Sequence, residues 1–364
     1  MLRIIDRYLL RELALGVGAT AVVLLLITTG GTFADVLNKV ATGRLPGNVM
    51  FPVLGLRILD AMTVLLPVAL FLGVLLGLSR LYRDAEMHVL GAAGMGPRGL
   101  LRPAALLAIP LALAVGLLSL WLGPAAVRTA NSMVADANRS VIAAGLEPGR
   151  FVELPGHAGV IFVDSMNRDG TRLGRVFVES ERLRADGTTT LDLVTAARGE
   201  LSADSGQRYL ALEDGYRFEG RLDQDDWRRM HYARNEIALS TPTDEDDRSD
   251  PAHALPSRVL WTSVEPAQRA ELAWRIGAPV AVLVLALLAL PLSRQSPREP
   301  RYGRLLLAVL AYLLYSNLLA LLRSGIGSGV VPAWIGLWPA HLVFALAAGW
   351  MLWRQYRVRG GKAA

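Results

Sequence analysis

The chain has 364 residues, of which 52% are hydrophobic and 19% charged, with a formal net charge of +6 and no cysteine. This composition excludes a disulfide framework, thiol chemistry and any cysteine-based metal site, and it favours a membrane protein over a large soluble enzyme. In chain order, six stretches free of Asp, Glu, Lys and Arg approach the ~20 residues that cross a bilayer core. They are 13–34, 61–79, 103–127, 276–293, 305–322 and 324–353. The first is too long for a cleaved signal peptide and lacks an early small-residue cleavage site, so it is expected to remain as an anchor.

Charge orients these spans. Arg and Lys concentrate in short loops on the cytoplasmic side of a membrane. One set of segments carries Arg3, Arg7, Arg11, Arg80, Arg83, Arg98, Arg102, Arg294, Arg298, Arg301, Arg304, Arg354, Arg357, Arg359 and Lys362. The short connections of the opposite set hold few, Lys39, Arg44 and Arg323, with Arg57 just before span two. Six spans put both termini on the first side, which is read as the cytoplasm of a bacterial inner membrane. The stretch between spans three and four is then a large extracytoplasmic domain. Residues 129–268 hold 24 acidic and 16 basic residues, a net of −8, and the remainder holds 8 and 22, a net of +14. Most of the positive surplus follows from topology; a share of it suits anionic lipid.

After span three, 129–144 reads as a helical extension. The segments RFVEL, GVIFVDSM, RVFVESERL, TTLDLVTA and RYLALEDGYRFEG then alternate apolar and polar residues with period two. Turn dipeptides separate or interrupt them at 155–156, 169–170, 186–187, 205–206 and 214–215. Short strands at this spacing predict an antiparallel sandwich or jelly roll. A charged, proline-broken loop, TPTDEDDRSDPAHALPSR, follows. No H-E-x-x-H or G-x-S-x-G occurs, and the five histidines are far apart in sequence, so neither a metal centre nor a catalytic triad is expected.

Between spans two and three lies LYRDAEMHVLGAAGMGPRG, residues 81–99. Its GMGPRG imitates a dinucleotide fingerprint, but that motif needs a preceding strand, a following helix for pyrophosphate and a later acidic residue. Here a helix is expected before it and a membrane span after it. Over 81–93 the spacing puts Leu81, Tyr82, Ala85, Val89, Ala92 and Ala93 on one stripe, with Asp84 and His88 on another face. Arg83, Glu86, Met87 and Leu90 are expected to give a mixed, partly apolar surface. The glycines and Pro97 end the helix. With no G-x-x-x-x-G-K-[ST] in the chain, the segment is either a solvated connector or a docking helix for a partner.

RYLLRE (7–12), LPVALFLGVLLGLSRLYRDAEMHVLGAAGM (66–95), WLGPAAVR (121–128) and RAELAWRIGAPVAVLVLALLALPLS (269–293) resemble the LptF/LptG (YjgP/YjgQ) permeases of the lipopolysaccharide exporter. The likeness covers nearly the whole chain, and LYRDAEMHVL and AELAWR are more like the F-type member than the G-type. It implies a membrane α-helical fold of six transmembrane helices with an inserted extracytoplasmic antiparallel β jelly-roll domain. The divisions would be 1–128 (three spans with coupling helix 81–93), 129–268 (periplasmic jelly roll) and 269–364 (three spans and a cytoplasmic tail).

The resemblance further implies a non-catalytic ABC transporter subunit of a Gram-negative cell. Its partners would be a G-type permease subunit, a cytoplasmic ATPase dimer that alone binds ATP and magnesium, and a membrane-anchored periplasmic jelly-roll protein. Its substrate would be lipopolysaccharide; no nucleic acid, metal or cofactor of its own is implied. In such permeases the connector after span two couples to the ATPase. Asp84, Glu86, Met87, Leu90 and Arg83 are the matching positions. F-type members often carry basic residues at the outer end of span one, whereas this chain offers Asp35 and Lys39 there. Phosphate contacts would fall to Lys39, Arg44, Arg323 or the partner. Arg128 either contacts substrate or ties span three to the outer domain. The competing readings are a membrane-embedded lipid-modifying enzyme, with Arg57 and Asp60 the nearest polar pair, and the permease of another lipid or lipoprotein exporter.

Overall fold

The computed structural model describes residues 4–41, 45, 47–96, 98–145, 148–153, 159–167, 172–183, 189–204, 207–221, 227–238, 251–294 and 303–360. Two compact units divide the chain, one of residues 1–34, 54–130 and 249–364, the other of 35–53 and 131–248.

The first unit is helical. Its elements are α1 (Ile4–Ala41), α2 (Met50–Arg83), α3 (Glu86–Ala92), α4 (Arg98–Leu117), α5 (Gly123–Gly145), α6 (Pro251–Ala254), α7 (Ser257–Thr262), α8 (Pro266–Leu292), α9 (Gly303–Gly327) and α10 (Trp338–Gly360). α1, α2 and α5 also carry residues of the second unit. Within this unit α8 packs against α4, α9 and α10, and Val282, Leu285, Leu288, Ala289 and Leu290 are buried. α1 and α2 approach so closely that a Cβ on Gly73 would stand 2.4 Å from Val17 Cα. Gly73 and Gly77 form the small-residue spacing that lets membrane helices approach backbone to backbone. α4 passes into α5 through one π turn, Leu118–Leu122.

Among the described residues, five helical stretches are long and apolar enough to cross a membrane: Ile4–Ala41, Gly47–Arg83, Gly99–Val134, Pro266–Leu292 and Gly303–Gly327. The expected sixth, 324–353, is not one helix. α9 takes its first residues, turns follow through 337, and α10 begins only at Trp338. Gly329 (φ 77°) and Gly336 (φ 57°) make the turns, with Pro332 between them. That leaves α10 a short apolar stretch before Arg354, Arg357 and Arg359.

The second unit carries one antiparallel sheet of β1 (Phe151–Glu153), β2 (Val160–Met166), β3 (Arg172–Leu183), β4 (Thr189–Asp204), β5 (Gln207–Gly220) and β6 (Arg228–Ala238), in the order β1-β2-β3-β4-β5-β6. Each described strand pairs with its chain neighbours, a meander, so the crossovers of a Greek-key jelly roll are not seen among them. Ile161, Val163, Val176, Val178, Val194 and Leu212 form its apolar core. Four of the expected turn dipeptides, 155–156, 169–170, 186–187 and 205–206, lie outside the described residues. The fifth is not a turn, because β5 continues through Asp214–Gly215. Arg175 (φ 40°) on β3 and Asp214 (φ 53°) on β5 flank residue 197 of β4, and pairing resumes on both sides at Val176↔Ala196 and Ala196↔Gly215. Leu210 and Leu212 are buried before this row and Gly215 after it, so the inward positions of β5 change from even to odd numbers. β6 was not read in the sequence, since RRMHYARNEIA carries charge on both faces.

Candidate functional site: the connector helix and a buried polar cluster

The connector comes first. The helix expected over 81–93 is two helices: α2 ends at Arg83, and α3 starts at Glu86 after Ala85 adopts a left-handed φ of 61°. A non-glycine residue pays ~1–2 kcal/mol there. The break resets the helical phase, so the faces read by continuing from Leu81 do not carry over. Met87 is buried and Leu90 packs on the bundle core, while Asp84, Ala85, His88, Val89, Ala92 and Ala93 are exposed. Of the five residues expected to couple to a partner, Asp84 and Arg83 are exposed, Glu86 is half-buried, and Met87 and Leu90 pack on their own chain. Tyr8 of α1 donates a hydrogen bond to Glu86 Oε2 at 2.6 Å, and Arg80 lies 3.6 Å from Asp84 and 3.8 Å from Glu12.

The GMGPRG glycines serve as a stop. Met95 N–H donates to Leu90 O (3.0 Å) and Gly94 N–H to Gly91 O (3.2 Å), with Gly94 at φ 87°. These are the paired bonds of a Schellman cap, and Met95 and Leu90 both pack on the core as such a cap requires. The Leu90 and Gly91 carbonyls are thereby satisfied within the chain. The same end of the unit is pinned by Ser79 Oγ, which donates to Ser293 O at 3.4 Å.

About 27 Å along α8 from Ser293, by helical rise, lies a second polar assembly. Glu271 is fully buried and Arg275 is 2% exposed. Glu271 Oε1 accepts from Arg275 Nε (2.8 Å) and faces His253 Nδ1 (2.9 Å), while Oε2 accepts from Arg323 Nη2 (2.8 Å). His253 Nε2 meets both oxygens of Asp60 on α2, at 3.1 and 3.2 Å. Arg275 Nη1 and Nη2 donate to the carbonyls of Leu255 and His253, both at 2.9 Å. Ser257 Oγ accepts from Arg275 and donates to Leu120 O, a carbonyl inside the π turn, and Ser119 Oγ donates to Arg275 O. Two carboxylates on different helices thus face His253, and hydrogen bonding, first to Asp60 and then to Glu271, pushes its pKa up to about 9. The charged imidazolium is the working form near neutrality. α2, α5, α6, α7, α8 and α9 converge on this cluster, Arg128 of α5 joining through a 2.9 Å bond to Ala254 O.

The cluster assembles no catalytic set. Both ring nitrogens of His253 are occupied by carboxylates, and Ser257 is bonded on both sides. Among the described residues no group of three or more His, Asp or Glu side chains could hold a metal ion. Arg323, expected to meet substrate phosphate, bonds Glu271 and lies 5.1 Å over the Trp274 ring. Lys39 is half-buried, 3.8 Å from Asp35. Arg44 lies outside the described residues. Sequence reasoning missed this cluster although RAELAWR places Glu271 and Arg275 at i,i+4, the spacing of a helical ion pair. His253 sits in a segment that reads as a charged loop.

The sequence profile of the family described as "Lipopolysaccharide export system permease LptF/LptG" matches residues 7–354. The chain belongs to the LptF/LptG family. It is also 31% identical over 363 residues to the lipopolysaccharide export system permease protein LptF of Escherichia coli K12, covering 99% of this chain and 98% of that protein. The LptF proteins of E. coli O157:H7 and Shigella flexneri match at the same identity and coverage. The profile spans α1 through most of α10, so connector and cluster both lie within the family's shared length.

Proposed function

We propose that this LptF/LptG-family chain is a permease subunit of an ABC transporter, which extracts lipopolysaccharide from the inner membrane and passes it towards a periplasmic bridge. The observation that carries this reading is the family match over residues 7–354, joined to 31% identity with E. coli LptF over nearly both full lengths. In this reading α10 completes six spans, both termini are cytoplasmic, and the sheet unit is a periplasmic jelly roll whose apolar face receives acyl chains. The fifteen basic residues on one set of connections support that orientation. The chain works beside a G-type subunit, and a separate cytoplasmic ATPase dimer holds ATP and magnesium. The bridge protein is membrane-anchored and continues the jelly roll.

In this mechanism α3 receives motion from the ATPase. Asp84 and Glu86 meet the partner, Arg83 flanks them, and Met87 and Leu90 transmit the displacement because they are packed into the bundle core. Lys39, Arg44, Arg323 and Arg128 remain the candidates for phosphate contact. The Glu271 bond to Arg323 and the Ala254 bond to Arg128 give those two a bracing role as well.

The test is affinity purification of the full chain in mild detergent from its native membrane. Recovery of an ATPase, a second permease subunit and bound lipopolysaccharide is expected. The Glu86→Arg variant should lose the ATPase. ATP hydrolysis by the isolated chain, or unchanged retention of the ATPase by Glu86→Arg, contradicts the reading.

A further inference from the structure

At the end of the helical unit that carries α3, α8, α9 and α10 border an open cavity of about 410 Å³, within the ~300–1,000 Å³ of small-molecule pockets. Pro291, Leu292, Leu307 and Met351 give it apolar walls, and Arg294, Arg304 and Arg354 give it a basic rim with Trp350 beside them. Gln355 donates to Pro291 O at 3.3 Å, tying α10 to α8. Arg304 Nη1 donates to Arg294 O, bridging α9 to the end of α8. The Arg354 guanidinium stands 5.6 Å over the Trp350 ring, a cation–π contact.

Arginine is expected at this end of the spans on topology alone, and two arginines outside the cavity stand beside carboxylates. Arg80 lies near Glu12 and Asp84, and Arg102 is 3.4 Å from Asp6. The described lining of the cavity brings three guanidinium groups together, those of Arg294, Arg304 and Arg354. Guanidinium groups match phosphate oxygens bidentately, and basic pockets between membrane helices take anionic headgroups. An interfacial tryptophan and apolar walls below the arginines fit the glycerol and first methylenes of a lipid rather than a free ion.

We propose that this cavity binds the phosphodiester headgroup of an anionic phospholipid from the surrounding leaflet, held by Arg294 and Arg354 with Arg304 as strut. The site is separate from the exported substrate and does not depend on the proposed function. Occupied, it cross-links the ends of α8, α9 and α10, which α2 shares through the Ser79–Ser293 bond.

The experiment places the full-length chain in phosphatidylcholine nanodiscs doped with chain-brominated phosphatidylglycerol or chain-brominated phosphatidylcholine. The signal is quenching of the Trp350 fluorescence component, obtained by difference from Trp350→Phe. Preferential quenching by phosphatidylglycerol is expected. Arg294→Gln and Arg354→Gln should each cut the preference about fivefold, the equivalent of the ~1 kcal/mol that one basic residue contributes at an anionic surface. Arg11→Gln, an exposed arginine at the same end outside the cavity, should leave it unchanged. Equal quenching by the two lipids, an undiminished preference in the double variant, or an equal loss in Arg11→Gln overturns the proposal. Abolition of the preference by inorganic phosphate would assign the cavity to a free ion instead. Arg294→Gln lies outside any helix and carries the test by itself where the double variant does not assemble.

Discussion

Glu271 accepts hydrogen bonds from two arginines while wholly buried, and its partners come from three different elements. Removing one partner of a buried ionic network leaves uncompensated charge, which costs ~3–5 kcal/mol. Arg275→Met is therefore expected to lower the thermal stability of the detergent-solubilised chain by that order, and Glu271→Gln by less, since the amide keeps an acceptor. His253 adds a pH dependence. Its ordinary value of 6.5 is raised to about 9 by Asp60 and then Glu271. A raised value means that the folded state holds the proton more tightly than the unfolded state. The stabilisation is complete below about 6.5 and is lost as pH rises through about 9. The melting temperature should fall over that window in the wild type, and His253→Gln should flatten the decline. An unchanged slope in the variant would remove the role assigned to His253. Neither carboxylate partner of His253 was legible in sequence. Asp60 lies 193 positions away and Glu271 18, and only folding brings the two together.

At the scale of elements, hydropathy reads long helices well because backbone polar groups inside lipid leave few alternatives to a helix. Lengths of apolar runs therefore located α1, α2, α4, α8 and α9. The same signal misplaced the last element. An uncharged run of thirty residues, 324–353, looked like one span, and glycine and proline turns inside it were outvoted by its apolar average. The connector shows a different limit. Its stop was legible because Gly94 and Pro97 have backbone preferences independent of context. Its break was not, because Ala85 is a good helix former that tertiary packing holds at φ 61°. Ala85→Gly should then stabilise the chain by ~1 kcal/mol, an increase visible in thermal melting; a decrease would show that Ala85 is not under backbone strain. Tyr8→Phe frees Glu86 Oε2 from α1. It should weaken ATPase retention less than Glu86→Arg does, in the same co-purification. The Asp214–Gly215 pair adds a third lesson, since a dipeptide typical of hairpins here lies within a long strand.

Over the whole molecule, two kinds of anchoring act on α8. At one end a buried network of Asp60, His253, Glu271, Arg275 and Arg323 fastens α2, α6, α8 and α9, with Ser257 of α7 and the π turn joined through Arg275. At the other end Ser79, Ser293, Gln355 and the arginine-rimmed cavity hold α2, α8, α9 and α10 near α3. In the proposed coupling, a displacement of α3 would enter a bundle already braced at both ends, which suits a subunit that moves as a body. A chain of apolar helices carrying an antiparallel β domain was legible from hydropathy and strand alternation. The strand connectivity was not, because period-two alternation says which face a residue takes but not which strands become neighbours.

The central claim is that this chain couples a partner's ATP hydrolysis to lipopolysaccharide movement through α3. The most direct measurement is lipopolysaccharide transfer from proteoliposomes containing this chain, its second permease subunit and the ATPase to a soluble periplasmic acceptor. Transfer is predicted to require ATP and to be lost in Glu86→Arg, with the ATPase itself still competent. ATP-independent transfer, or wild-type transfer by Glu86→Arg, would contradict the account.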